Sequence, residues 1–173
     1  MTSLRRLVVF RHAKSARPPD VADHERPLAP RGCRDAPAAG RWLSEAGWLP
    51  DLVLCSTSRR TRETWDLAAA QLGTPPPTRY ESSLYAAALP ELLAAVREVP
   101  QHVHTLLLIG HSPSVQDLIL TLAGDGLGDA LPRTQEAFPT SAIAVLTWHG
   151  TWHALEPGTA LLTEMVVPRG KKT

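Results

Sequence analysis

Two histidines in this chain each stand just beyond an apolar run that reads as a buried strand. His12 follows the run Leu4 to Phe10 with only Arg11 between, and His111 follows Thr105 to Ile109 with only Gly110 between. A third such run, Asp51 to Cys55, is followed by Ser56-Thr-Ser-Arg59-Arg60. A neutral imidazole can attack phosphorus and hold the phosphoryl group covalently. The fork of arginine fits a tetrahedral phosphate, and guanidiniums can neutralise the developing charge with no metal and no cofactor. A lone histidine after a strand is more often a capping or core residue. Three such strand ends meeting in one crevice point to chemistry on an anion.

The elements that must bring those ends together read as alternating strands and helices. Residues 13–30 are polar and proline-rich, a long loop. Pro30 fits the first position of a helix, which Ala36, Ala39, Leu43 and Ala46 continue at helical spacing and Gly47 closes. Pro37 should kink or split it. Ser56 introduces a second helix to about Leu72, Pro90 a third with Leu92, Leu93 and Val96 on one face, and Ser114 a fourth to about Ala123. Ser141 to Trp148 reads as a strand, with a tight turn near His149-Gly150, a return strand to about Leu155, and a last strand from Leu161 to Val167. Residues 168–173 look like a frayed tail. The alternation predicts one α/β domain over residues 1–173, with a mostly parallel sheet between helical layers. In such folds ligands sit at the carboxyl ends of the strands, where the two histidines and Arg60 stand.

Taken in order, these residues resemble the histidine phosphatase superfamily. Arg11-His12-Ala-Lys-Ser15 is similar to the signature in which an Arg-His pair ends the first strand. Ser56, Arg60 and Thr64 resemble the second motif, with arginine four and threonine eight residues after a serine. Gly110-His111-Ser-Pro113 resembles the third, Gly-His-Asn/Ser-Pro. The resemblance runs from about Leu7 to Ala123 and is nearest to the small bacterial phosphohistidine phosphatases. Their Arg-Pro-Leu-Thr-x-x-Gly stretch is matched by Arg26 to Gly32, with Ala29 replacing the threonine and a helix-cap hydroxyl thereby missing.

The resemblance implies a three-layer α/β/α sandwich of the phosphoglycerate mutase-like fold. His12 would be the nucleophile, and Arg11 and Arg60 would grip the phosphoryl oxygens. His111 would hydrogen-bond the phosphoryl group, and Gly110 would let the backbone pass close to it. Arg59 falls at a variable position. Larger members use a Glu or Asp to protonate the leaving alkoxide; here the candidate is Glu81, which reads equally as a solvated loop residue. No long insertion lies between Thr64 and Glu81, where larger relatives carry part of a cap, so the site should be shallow and open. That suits phosphohistidine in a protein and also admits small phosphoesters. A mutase or sugar-phosphate or nucleotide phosphatase needs a second anionic grip, which Arg17, Arg26 and Arg59 could supply. A non-catalytic phosphate-binding module predicts loss of His12 or His111, and both are present.

Composition narrows the field further. At 173 residues, the chain has the length of one domain. Its 18 basic and 17 acidic side chains give a net charge of +1, which excludes a global attraction to nucleic acid or membrane but not a local basic pocket. The basic side is nearly all arginine, with Lys14, Lys171 and Lys172 the lysines. Cys33 and Cys55 are too few for a disulfide scaffold or a four-cysteine zinc site and read as core residues. His102 and His104 lack a third ligand. Trp148 and Trp152 read as cross-strand packing beside His149 and His153, and His24 as a surface residue near the pocket rim. No run approaches a membrane span or a signal peptide, so a cytoplasmic protein is expected.

Overall fold

A computed structural model describes residues 3–172. Its centre is one seven-stranded sheet in the order β3-β2-β4-β1-β6-β7-β5. The strands are β1 (Leu4–Arg11), β2 (Leu52–Ser56), β3 (Thr78–Glu81), β4 (Thr105–Gly110), β5 (Ala123–Gly126), β6 (Ile143–His149) and β7 (Ala160–Val166). The helices are α1 (Pro30–Ala46), α2 (Arg59–Ala69), α3 (Leu89–Arg97), α4 (Ser114–Leu122) and α5 (Ala130–Glu136). β1 pairs in parallel with β4, β4 with β2, β2 with β3, and β7 with β5; β6 runs antiparallel to both β1 and β7.

Residues of β1 alternate between the two cores, as strand geometry requires. Val8 and Phe10 pack with Ala39 and Leu43 of α1 and Trp65 and Ala68 of α2. Leu7 and Val9 join the opposite core with Leu92 and Val96 of α3 and Leu118 and Leu122 of α4. Burial on both faces explains why β1, β2 and β4 read as continuous apolar runs. Cys55 is buried here, and burial pushes its thiol up to about 12.

Several expectations are corrected. Pro37 does not split its helix; α1 runs unbroken to Gly47, whose positive φ of 76° closes it. The carbonyl that loses its donor belongs to Cys33, on an exposed part of the helix where water can substitute. Cys33 is therefore not a core residue. The return strand expected to run from Gly150 to about Leu155 is not formed; β6 is followed by turns, and its antiparallel partner β7 begins only at Ala160. Trp152 is instead buried within the turns of residues 150–159, with its indole N–H donated to the Val103 carbonyl at 2.7 Å. Trp148, near the end of β6, meets it edge-to-face at 4.9 Å, a contact between the strand and the turns that follow it rather than across a hairpin. The second helix starts at Arg59, capped by Ser58, which leaves Ser56 as the last residue of β2. Nor is the start of the tail free: Arg169 and the Gly170 N–H are both held by Asp35 of α1. The short β3, β5 and α5 are additions, and the glycines of β5 gave no apolar pattern to read.

Candidate active site

The sheet register sets the site. β1 and β4 lie side by side with Arg11 opposite Gly110. His12 and His111 therefore leave the sheet together, with ring centroids 5.3 Å apart. β2 lies beyond β4, and its last residue, Ser56, places its hydroxyl 2.9 Å from His111 Nε2. α2 then begins and brings Arg60 to the same edge. The antiparallel β6 starts where β1 ends, so the connection before it also arrives here. Arg11 Nη1 donates to the Phe138 carbonyl at 3.0 Å, and the Ser141 N–H donates to the carbonyls of Arg11 and His12. Ser141 pays for that position with a φ of 67°, a left-handed conformation that side chains other than glycine adopt at some cost.

The segment after His12 is pinned on both sides. Thr64 Oγ1 accepts the Ala13 N–H at 3.0 Å and donates to the Arg60 carbonyl, which ties α2 to the backbone beside the histidine. The Lys14 carbonyl accepts the Ala29 N–H at 2.9 Å, which ties this segment to the start of α1, whose N-cap Ala29 provides no side-chain cap. Gly32 is needed for this approach, because a Cβ there would stand 2.1 Å from the Lys14 carbonyl oxygen.

His12 is 7% exposed. Its Nδ1 lies 2.7 Å from the carbonyl oxygen of Ala13. A carbonyl only accepts, so Nδ1 carries the proton and Nε2 keeps its lone pair. Burial lowers His12 to about 3; the Ala13 carbonyl opposes this, and the charges of His111, Arg60 and Arg11 add to it. Burial, then Arg60, likewise lowers His111 to about 4, against the pull of Asp23. Both imidazoles are neutral at pH 7.

A cavity of about 200 Å3 opens between them, lined by Arg11, His12, Arg60 and His111 together with Lys14, Ser15, Arg17, Arg26, Ser112 and Thr140. Arg11 Nε, His111 Nδ1 and Ser112 Oγ are buried without a hydrogen-bond partner. Such atoms are costly unless something accepts from them. No carboxylate is among the lining residues, but Asp23 stands beside them. Its main-chain carbonyl accepts from Arg60 Nη1 at 2.7 Å and its Oδ2 from Arg60 Nη2 at 3.1 Å. Tyr85 and Arg26 also donate to Asp23, and with Arg60 they hold its carboxyl well below the usual carboxylate range.

The Histidine phosphatase superfamily (branch 1) profile matches residues 7–84. An uncharacterised protein of Mycobacterium tuberculosis is 46% identical over 162 residues, covering 92% of this chain and 100% of that one. A Nakamurella multipartitia structure assigned as the phosphohistidine phosphatase SixA is 34% identical, with a TM-score of 0.85 over 96% of this chain and 97% of its own. This chain belongs to the histidine phosphatase superfamily. A second structure so assigned, from Agrobacterium tumefaciens, is 25% identical with a TM-score of 0.80, covering 95% and 98% of the two chains. These likenesses support phosphatase activity on a phosphorylated substrate.

Of the residues expected from the superfamily motifs, Arg11, His12, Arg60 and His111 line one cavity. Glu81 does not; it ends β3, in register with Ser56, and lines a separate cavity with Arg79, Ser83 and Glu98. Arg59 turns away to pair with Glu63 at 3.2 Å. His24 stands at the rim, 3.0 Å from Thr57 Oγ1 and edge-on to Tyr85, which in turn meets the His111 ring at 5.8 Å. Ser112, the serine of the third motif, also lines the cavity, whereas Asp23, Tyr85 and Thr140 carry no sequence-predicted role. For Thr140 a signal existed: a strand antiparallel to β1 must begin beside the end of β1. Among the described residues no group of three His, Cys, Asp or Glu side chains could hold a metal ion, and no helix is long and apolar enough to cross a membrane.

Proposed function

We propose that this protein is a metal-independent phosphatase that works through a phosphohistidine intermediate on His12, with phosphohistidine in a protein as its substrate. The observation that carries this reading is the 2.7 Å contact from His12 Nδ1 to the Ala13 carbonyl, which leaves Nε2 as a free base in a cationic cavity. In the first step Nε2 attacks phosphorus. The bond from phosphorus to the substrate nitrogen breaks, and its electron pair stays on that nitrogen. The new His12 ring is an N-phosphoimidazolium, whose Nδ1–H is already held by a carbonyl that tolerates positive charge. In the second step water attacks phosphorus, the bond from phosphorus to Nε2 breaks and returns its electron pair to that nitrogen, and both water protons leave with the product as dihydrogen phosphate.

The charge of the transferred group falls to Arg11 and Arg60, with Ser112 and His111 as further hydrogen-bond partners. A cavity lined by cations repels a metal ion, so the guanidiniums take that role. Substrate choice follows from the leaving group. The carboxyl of Asp23 is held ionised and cannot donate a proton, and His111 is neutral. A phosphohistidine ring protonated on its second nitrogen leaves as neutral imidazole and needs no acid from the enzyme, whereas an alkoxide does.

His12→Ala should abolish turnover and covalent labelling by a phosphohistidine substrate, and excess chelator should leave the wild type active. Acid-labile label on the variant, or chelator inhibition reversed by a divalent metal, would overturn the mechanism.

A further inference from the structure

The charges around the cavity do not match a single phosphoryl group. Five cations line it: Arg11, Lys14, Arg17, Arg26 and Arg60. Two of them are already engaged by Asp23: Arg60 at 3.1 Å and Arg26 at 2.9 Å. Arg26 also donates to Ser15 Oγ at 2.6 Å and to the Ala16 carbonyl at 3.0 Å, so its fork is occupied by the protein itself. Arg11, Arg60 and His111 suffice for the three oxygens of a phosphoryl group. Lys14 and Arg17 are left over. Both are exposed, and among the described residues neither side chain has a hydrogen bond or ion pair.

Their placement is fixed by the backbone rather than by their own contacts. The Lys14 carbonyl is held by the Ala29 N–H and packed against Gly32, and the Ala16 N–H, one residue before Arg17, donates to the Pro27 carbonyl at 2.8 Å. Two unpaired cations are thus held beside the mouth of a site that already has its phosphoryl grip. Unpaired like charges repel one another and the guanidiniums behind them, and an incoming anion relieves both.

We propose that Lys14 and Arg17 form a second anion subsite, which selects substrates carrying a carboxylate or second phosphate beside the phosphoryl group. This rests on the phosphatase reading above. In a protein substrate the second anion is an Asp or Glu flanking the phosphohistidine; in a small molecule it is a second phosphate or carboxylate. The proposed function favours the protein source.

The test uses the full chain, the Lys14→Ala/Arg17→Ala double variant and the charge reversal Lys14→Glu. Far-UV circular dichroism and a melting curve check that each folds. Two phosphohistidine peptides, one flanked by glutamates and one by glutamines, are compared with a sugar bisphosphate and its monophosphate. The wild type should favour the acidic peptide by about three- to tenfold in kcat/KM, the scale of one or two exposed ion pairs. The preference should fall on KM, shrink with added salt, disappear in the double variant and reverse in Lys14→Glu. Binding gives a readout independent of turnover: pyrophosphate should bind the wild type more tightly than orthophosphate, and the double variant should lose the difference. Equal use of both peptides with no pyrophosphate preference overturns the subsite while leaving the phosphatase reading intact. Hydrolysis of the bisphosphate alone, still dependent on Lys14 and Arg17, keeps the subsite and overturns the protein substrate. A preference that survives the double variant overturns the assignment to these residues.

Discussion

Two aspartates in this molecule each hold an arginine, under opposite conditions. Asp35 of α1 has a side chain only 2% exposed. Its Oδ2 lies 2.8 Å from Arg169 Nη1 and 3.4 Å from Arg31 Nε, and its Oδ1 accepts the Gly170 N–H at 3.0 Å. Asp23, in the loop after His12, is 54% exposed and shares its carboxylate among Arg60, Arg26 and Tyr85. The Arg60 side chain is only 9% exposed, but the Asp23 carboxylate can turn to water, so Arg60 can exchange it for a phosphoryl oxygen without stranding a buried charge. A buried carboxylate that loses a partner has no water to turn to. The same pair of residue types therefore serves rigidity where its carboxylate is dry and exchange where its carboxylate is wet. The dry pair still supports the site, because Arg169 also donates to the carbonyl of Thr140, a cavity residue, at 3.0 Å.

The sharpest separation comes from one substitution at each place. Arg60→Lys keeps the charge and loses the fork; kcat/KM should fall by about 10²-fold or more, the scale for one oriented transition-state donor. Its urea midpoint should move little. Arg169→Ala should do the reverse, lowering stability by about 1–3 kcal/mol because a buried acceptor is left short of a donor. Measured well below its melting temperature, its kcat/KM should stay within about tenfold of wild type, since no phosphoryl contact is lost. Loss of stability without selective loss of activity in Arg60→Lys, or the converse in Arg169→Ala, would erase the distinction.

Protonation sharpens the same contrast. In the folded protein His12 is lowered to about 3 and His111 to about 4, while an unfolded chain takes up these protons near pH 6.5. Between those values the unfolded state binds more protons, so stability falls as pH falls from about 6.5. Asp23 acts in the same direction but later. Its carboxyl is lowered, so its contribution is complete above the ordinary carboxylate value and lost only below it. From pH 7 to 5 the two histidines should remove on the order of 2 kcal/mol each. Urea titrations of wild type and His12→Asn at both pH values check this, and an equal pH dependence in the two would show that His12 is not held neutral by the fold.

The strand ends were legible because a strand buried on both faces must be an apolar run, and the residue after such a run in a parallel sheet faces the ligand edge. His12, Ser56 and His111 follow from that rule without any contact being known. Asp23 and Tyr85 do not. They lie 62 positions apart and meet only because the loop after β1 folds back over α2, and no local pattern encodes that approach. The tail was misread for a similar reason: Arg169 looks solvated until Asp35, 134 positions earlier, is known to be buried beneath it. Pro37 and the segment after Gly150 were misread in the opposite way. There a local rule was sound, but burial of the surrounding helix face and of Trp152 outweighed it.

The smallest expected effect concerns Glu81, and it separates substrate classes. Glu81 is one strand away from the reacting edge: it pairs in register with Ser56, whose hydroxyl contacts His111, yet it lines a different cavity. A phosphohistidine substrate brings its own proton, so Glu81→Gln should change its kcat/KM by less than about threefold, in contrast to the 10²–10⁴-fold of a positioned acid. An alkyl phosphate lacks that proton and should be a poor substrate of the wild type already. If Glu81→Gln costs about 10²-fold on the ester alone, Glu81 reaches the cavity during turnover and serves as the acid for esters. Equal large losses on both substrates would instead make it a positioning residue acting through Ser56 and His111, and the leaving-group argument for phosphohistidine would then fail.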